Sequence, residues 1–159
     1  MIKVIGIGNL LMGDDSISLK IIDSIEEELK KLNLSIECIK AETDFNYALD
    51  NIQNGDLLFI LDSTLLGLEC GQITKISLNE AEKYSSNLLS IHGMSLLSLI
   101  NYSNTEIEGF ILGIEVIEVG FSLEITNELK TKFKEICSEV YKIIKDNSLE
   151  YMEKGETSA

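Results

Sequence analysis

The chain has 159 residues, 45% apolar and 25% charged, with 27 acids against 13 bases and a formal charge of -14. That length suits a single domain with a sizeable core. The acidity excludes a protein that tracks phosphate backbones, so no nucleic-acid partner is expected, and no apolar run approaches the roughly 20 residues of a membrane span.

Cys38, Cys70 and Cys137 are odd in number, widely spaced and lack a Cys-x-x-Cys, which argues against a disulfide framework and a thiolate zinc site. The sequence enters an apolar run at once, with no basic segment and no cleavage-site pattern, so a cytoplasmic monomer without membrane insertion is expected.

In chain order, Val4-Ile5-Gly6-Ile7 is a strand-length apolar run. It meets the turn-rich Gly8-Asn9 and then an acidic pair, Asp14-Asp15. Ile17, Ile21, Ile25, Leu29 and Leu32 recur at helical spacing, with Glu26, Glu27, Glu28, Lys30 and Lys31 turned away from that stripe, which predicts a helix of about four turns. Ser35 to Ala41 reads as a second strand, and Asp44 as the cap of a short helix through Tyr47, Leu49 and Ile52.

Leu57-Leu58-Phe59-Ile60-Leu61 is continuously apolar, the pattern of a central strand covered on both faces, and is expected to end on Asp62. Gly71 to Leu78 suits a strand nearer an edge, and Glu80 to Tyr84 a short helix. Ser90 precedes His92, Met94, Leu96, Leu97, Leu99 and Ile100, read as a capped third helix. Glu106 to Ile114 is a further strand, while Ile117 to Ile125 matches no single element.

Thr126 caps a last helix with Leu129, Phe133, Ile136, Val140 and Ile143 on its apolar face. The polar residues 147–159 read as a frayed tail, leaving 1–146 as the domain. Alternation of strands and helices implies an α/β single domain: a mostly parallel twisted sheet of about five strands with helices on both faces.

In such sheets ligands bind beyond the carboxyl ends of the strands. Asp15 (with Asp14), Asp62 and His92 share that kind of position. Two carboxylates and an imidazole suit a divalent transition metal with open positions left for water or substrate. Each residue also has a plainer reading: N-capping for the acidic pair, a strand-end turn for Asp62, a cap or a satisfied core histidine for His92.

Gly6 and Gly8 are followed by Leu11 where a dinucleotide fingerprint needs its third glycine, and two acids at a helix start repel phosphate. A Rossmann-type nucleotide-binding protein is therefore the lesser alternative. No serine lies in a Gly-x-Ser-x-Gly elbow, and Cys70 has no histidine partner in sequence, although His92 could approach it in space.

Three segments together, Gly6-Ile7-Gly8-Asn9-Leu10-Leu11-Met12-Gly13-Asp14-Asp15, Ile60-Leu61-Asp62 and Ser90-Ile91-His92, resemble the hydrogenase maturation proteases. These aspartic-type endopeptidases remove a C-terminal extension from the large subunit of NiFe hydrogenases once nickel is inserted. The similarity runs from Met1 to about Ile144.

It implies a metal-dependent endopeptidase with Asp15, Asp62 and His92 as catalytic metal ligands. The nickel would be supplied by the precursor, with cadmium or zinc able to occupy the site in vitro. The partner would be the large-subunit precursor, contacted by Glu42, Thr43 and Asp44.

Four residues depart from the family pattern: Ser16 and Ser18 stand for glycines, Glu42 for the glycine before the threonine, and Val116 for a proline. Ser16, Ser18 and Glu42 motivate a second reading, a non-catalytic module that binds a nickel site or a precursor tail without cutting it. Asp15, Asp62 and His92 are further expected at an exposed cleft, where replacing them changes stability little.

Overall fold

The computed structural model describes residues 1–81, 91–103 and 105–157, without the side chains of residues 91, 92, 94, 156 and 157. Five strands form one sheet: β1 (Ile2–Ile7), β2 (Ile36–Glu42), β3 (Leu57–Thr64), β4 (Ile73–Ser77) and β5 (Glu108–Glu115). Their order is β2-β1-β3-β5-β4, parallel except for β4, which runs antiparallel to β5 at one edge. The predicted α/β architecture is observed.

Among the described residues there are also five helices and a short 3-10 turn at Asp14–Ser16: α1 (Ile17–Lys30), α2 (Phe45–Asp50), α3 (Leu78–Ala81), α4 (Ile91–Tyr102) and α5 (Asn127–Thr157). Asp44 caps α2, its carboxylate accepting the Tyr47 N–H at 2.9 Å. The charged run at the end of α1 faces water, while Ile17, Ile21, Ile22, Ile25 and Leu29 are buried.

Alternation along β3 divides the core. Leu57, Phe59 and Leu61 pack with residues of α1 and α5 on one face of the sheet. Leu58 and Ile60 pack with Ala48, Leu96, Leu97 and Ile100 of α2 and α4 on the other. Every residue of β1 and β3 is buried, as double coverage requires, and each large apolar side chain so enclosed contributes about 1.5–3 kcal/mol.

Some boundaries differ from expectation. β3 continues two residues past Asp62, because β5 extends its ladder through Asp62↔Gly113, Ser63↔Ile114 and Thr64↔Glu115. The short helix expected at Glu80 to Tyr84 appears as α3, ending at Ala81, and its later residues lie outside the described ones, as does Ser90. Ile117 to Ile125 is neither strand nor helix, and it is held by the isolated bridges Met12↔Ser122 and Gly13↔Val119.

The frayed tail expected from Asn147 is instead the last third of α5. Ser148 is fully buried there, and Tyr151 packs on the core and donates its hydroxyl to the Gly55 carbonyl at 3.0 Å. The side-chain amide oxygen of Asn147 accepts Lys75 Nζ at 3.0 Å, which ties this end of the helix to β4. Among the described residues no helix is long and apolar enough to cross a membrane.

Candidate active site

The order β2-β1-β3 means that the chain leaves β1 toward one side of the sheet and later returns on its other side. The crevice between the carboxyl ends of β1 and β3 is therefore the topological switch point. β1 stops pairing with β3 at Gly6↔Leu61, whereas β3 runs on to Thr64. The β1–α1 loop thus faces the protruding end of β3, and the two carboxylates singled out by sequence meet that end.

Asp15 closes the β1–α1 loop on itself. One carboxylate oxygen accepts the Asn9 N–H at 2.9 Å and the other accepts the Ser63 hydroxyl at 2.6 Å. The turn is possible because residue 8 is glycine: its φ is +148°, and a Cβ there would lie 2.0 Å from the Asp15 carbonyl oxygen.

Asp62 is fixed differently. Its Oδ1 accepts the Ser63 N–H at 2.9 Å, and its Oδ2 accepts the Gly93 N–H at 2.8 Å in the first turn of α4. By the alternation of β3, Asp62 belongs to the α4 face and Ser63 to the α1 face. The two carboxylates therefore approach the end of β3 from opposite sides of the sheet.

His92 is the second residue of α4, so its backbone adjoins the Gly93 N–H that Asp62 holds; its side chain lies outside the described residues. Among the described residues no group of three His, Cys, Asp or Glu is gathered as a metal site. The expectation of an exposed cleft is corrected: Asp15 is 5% and Asp62 1% exposed, because both carboxylates are drawn in by backbone and hydroxyl donors.

The neighbouring acid does other work. Asp14, 1% exposed, does not cap the helix that follows it. Its carboxylate accepts the Thr126 N–H at 2.6 Å, the Thr126 hydroxyl at 3.0 Å, and the N–H groups of Ile117 and Glu118 at 3.1 and 3.4 Å. It fastens the whole β5–α5 connection to the β1–α1 loop. Glu115, which the sequence reading passed over, is the matching device: its buried carboxylate accepts the Thr64 hydroxyl at 2.9 Å and the amides of Leu66, Gly67 and Leu68. The available signal was an acid closing an apolar strand, as Asp62 nearly does.

The four departures each have a local account. Ser16 and Ser18 are buried, and their hydroxyls donate to the carbonyls of Gly13 and Ile7, so the tight start of α1 survives. Val116 donates its N–H to the Thr64 carbonyl at 3.0 Å, a bond that proline cannot make. Glu42 is exposed and has φ +53°, a left-handed conformation that favours glycine. Its carbonyl receives the Gly8 N–H at 3.0 Å, which links the 42–44 turn to the site loop.

Two lesser readings lose ground. The amides of Asn9, Leu11, Met12, Gly13, Asp15 and Ser16 are all engaged within the protein, so the β1–α1 loop is not a phosphate cradle. Cys70 is buried in the cluster on the α1 and α5 face, opposite α4, and burial raises its thiol pKa, as it does for Cys137. Burial pushes Cys38 up to about 12. None of the three is poised as a thiolate nucleophile.

Fold and site together define an open α/β domain whose switch-point crevice is furnished with buried carboxylates. The hydrogenase maturation protease family model matches residues 19–143, well over half of the chain. A Methanocaldococcus jannaschii protein named as a putative hydrogenase maturation protease is 28% identical over 123 residues, spanning 75% of this chain and 73% of its own.

Among solved structures, the hydrogenase maturating endopeptidase HybD from E. coli superposes with a TM-score of 0.73 at 18% identity, covering 92% of this chain and 93% of its own. The hydrogenase maturation protease HybD from Thermococcus kodakarensis gives 0.72 at 20%, covering 90% and 98%. The chain belongs to the hydrogenase maturation protease family.

Proposed function

We propose that this family member is an endopeptidase that removes the C-terminal extension of a NiFe hydrogenase large-subunit precursor, and does so once that precursor carries nickel. The observation that carries the reading is the pair of buried carboxylates, Asp15 and Asp62, at the β1/β3 switch point, with the second one hydrogen-bonded to the helix turn that contains His92. Carboxylate oxygens and an imidazole are a fitting donor set for a divalent transition ion. The two hydrogen bonds described for Asp15 use about half of the lone-pair positions of an ionised carboxylate.

In this reading Asp15, Asp62 and His92 recognise the nickel that the precursor brings, so that a precursor without it is not held. A metal held by these residues would supply Lewis-acid polarisation of the scissile carbonyl or of a water. Asp15 or Asp62 takes up the proton released from the attacking water. Glu42, Thr43 and Asp44, at the turn bonded to the site loop, contact the substrate chain. Processing in the cytoplasm by a monomer fits this scheme.

A titration of the purified protein with nickel, cadmium and zinc tests the ligand set. One site in wild type, weakened in Asp15→Asn, Asp62→Asn and His92→Ala alike, is expected. A site indifferent to all three changes would refute the assignment. A module that binds the loaded precursor without cutting it is distinguished by product analysis, since it leaves the extension in place.

A further inference from the structure

The residue between the two carboxylates' anchoring points is Ser63. Leu57 donates its N–H to the Met1 carbonyl, on the β1 side of β3. With the two-residue period of a strand, the N–H of Ser63 also points to that side, but beyond the last β1 pair, Gly6↔Leu61. The next β1 carbonyl, that of Ile7, receives the hydroxyl of Ser18. The Ser63 N–H goes instead to a side chain, Asp62 Oδ1 accepting it at 2.9 Å.

The hydroxyl of the same residue crosses to Asp15 Oδ1 at 2.6 Å, in a buried setting. No other described hydrogen bond joins β3 to the Asp15 carboxylate. One residue, 5% exposed, thus holds both carboxylates at once, the first through its side chain and the second through its backbone.

We infer that Ser63 is a positioning residue for the reaction, setting where the Asp15 carboxylate stands relative to Asp62; this rests on the function proposed above. A carboxylate with one oxygen held by an N–H and the other by a hydroxyl cannot swing about its χ2 without breaking a bond. With the hydroxyl gone, Asp15 Oδ1 loses its tie to β3 and is free to turn away, while the backbone bond to Asp62 is untouched. Loss of an outer hydrogen bond of this kind typically costs about 10–100-fold in metal affinity or activity.

The test compares wild type, Ser63→Ala and Ser63→Thr by cadmium titration and by kcat/KM for shortening of a nickel-loaded large-subunit precursor, with urea unfolding as a control. Ser63→Ala should bind cadmium about 10–100-fold more weakly and lose a similar factor in kcat/KM, and Ser63→Thr should restore both.

Wild-type performance by Ser63→Ala in both measurements overturns the positioning role and leaves the proposed function standing. A loss that Ser63→Thr does not restore, tracking a fall in stability, overturns it as well. A wild-type protein that neither binds cadmium nor shortens the precursor removes the underlying reading, and the role of Ser63 with it. If wild type shortens the precursor without binding cadmium, the kcat/KM comparison alone decides.

Discussion

Asp14 and Asp15 are adjacent acids with different work, and replacing the first separates them. Asp14 is almost fully buried and accepts four donors from the segment that joins β5 to α5. In Asp14→Ala the amides of Thr126 and Ile117 lose a charged acceptor, and each such bond is worth about 1.5–3 kcal/mol. The Glu118 contact at 3.4 Å is too long to add much.

The expected loss is roughly 3–6 kcal/mol, a large share of the 5–15 kcal/mol typical of a domain. At about 2–4 °C per kcal/mol for a chain of this size, the melting temperature should fall by roughly 6–24 °C. Urea unfolding followed by circular dichroism measures this directly, and Asp14→Asn, which keeps one acceptor oxygen, should fall between the variant and wild type. An Asp14→Ala midpoint equal to that of wild type would refute the fastening role. So would a variant of unchanged stability that had lost metal binding, since Asp14 would then be acting as a ligand.

Glu42→Gly should stabilise the protein by up to about 1 kcal/mol, because the left-handed backbone costs an ordinary residue about 1–2 kcal/mol and glycine's extra freedom offsets part of the gain; a lower urea midpoint would contradict this. Val116→Pro should cost about 1–3 kcal/mol through the orphaned Thr64 carbonyl, so a family-like proline here lowers rather than raises the midpoint. Alkaline stability carries the sign of the thiols. Burial raises the folded Cys38 pKa from the ordinary 9.0 to about 12, so the unfolded chain ionises first, and stability present below pH 9.0 is lost progressively toward pH 12. Cys38→Ala should flatten that decline in melting temperature, and an unchanged slope would show that the thiol is not its source.

The fold was legible where one face of an element is apolar at a regular period. The stripe of Ile17, Ile21, Ile25 and Leu29 and the continuous run Leu57 to Leu61 gave α1 and β3 at once, and β3 as a doubly covered strand explains the parallel sheet around it. The end of β3 was missed by two residues because Asp62, Ser63 and Thr64 are polar yet buried, kept in the ladder by β5. The last turns of α5 were missed for a related reason. Their docking runs through Asn147 and Tyr151, on either side of the buried Ser148, rather than an apolar stripe, and those two residues bond to Lys75 of β4 and to Gly55 just ahead of β3 across the molecule.

Asp15 and Asp62 could be picked out because acids at strand ends stand at the functional edge of such a sheet. The function of Asp14 could not, since its partners Ile117 and Thr126 are more than a hundred positions away and most are main-chain amides, which leave no trace in side-chain identity. Ser63 was hidden in the same way, an ordinary serine until the ladder of β1 stops short of it. Ile117 to Ile125 resisted assignment because its apolar residues make no regular core face: Phe121 is 84% and Leu123 71% exposed while Ile125 is buried, and the segment is held by Asp14 and two isolated bridges rather than by an apolar stripe.

The measurement that tests the central claim most directly is processing of a NiFe hydrogenase large-subunit precursor, nickel-loaded and nickel-free, by wild type and by Asp62→Asn, with the products read by mass spectrometry. The account predicts that wild type releases a C-terminal peptide from the loaded precursor alone and that Asp62→Asn releases none. Equal cleavage of both precursors, or a loaded precursor that is bound and left whole, would contradict it.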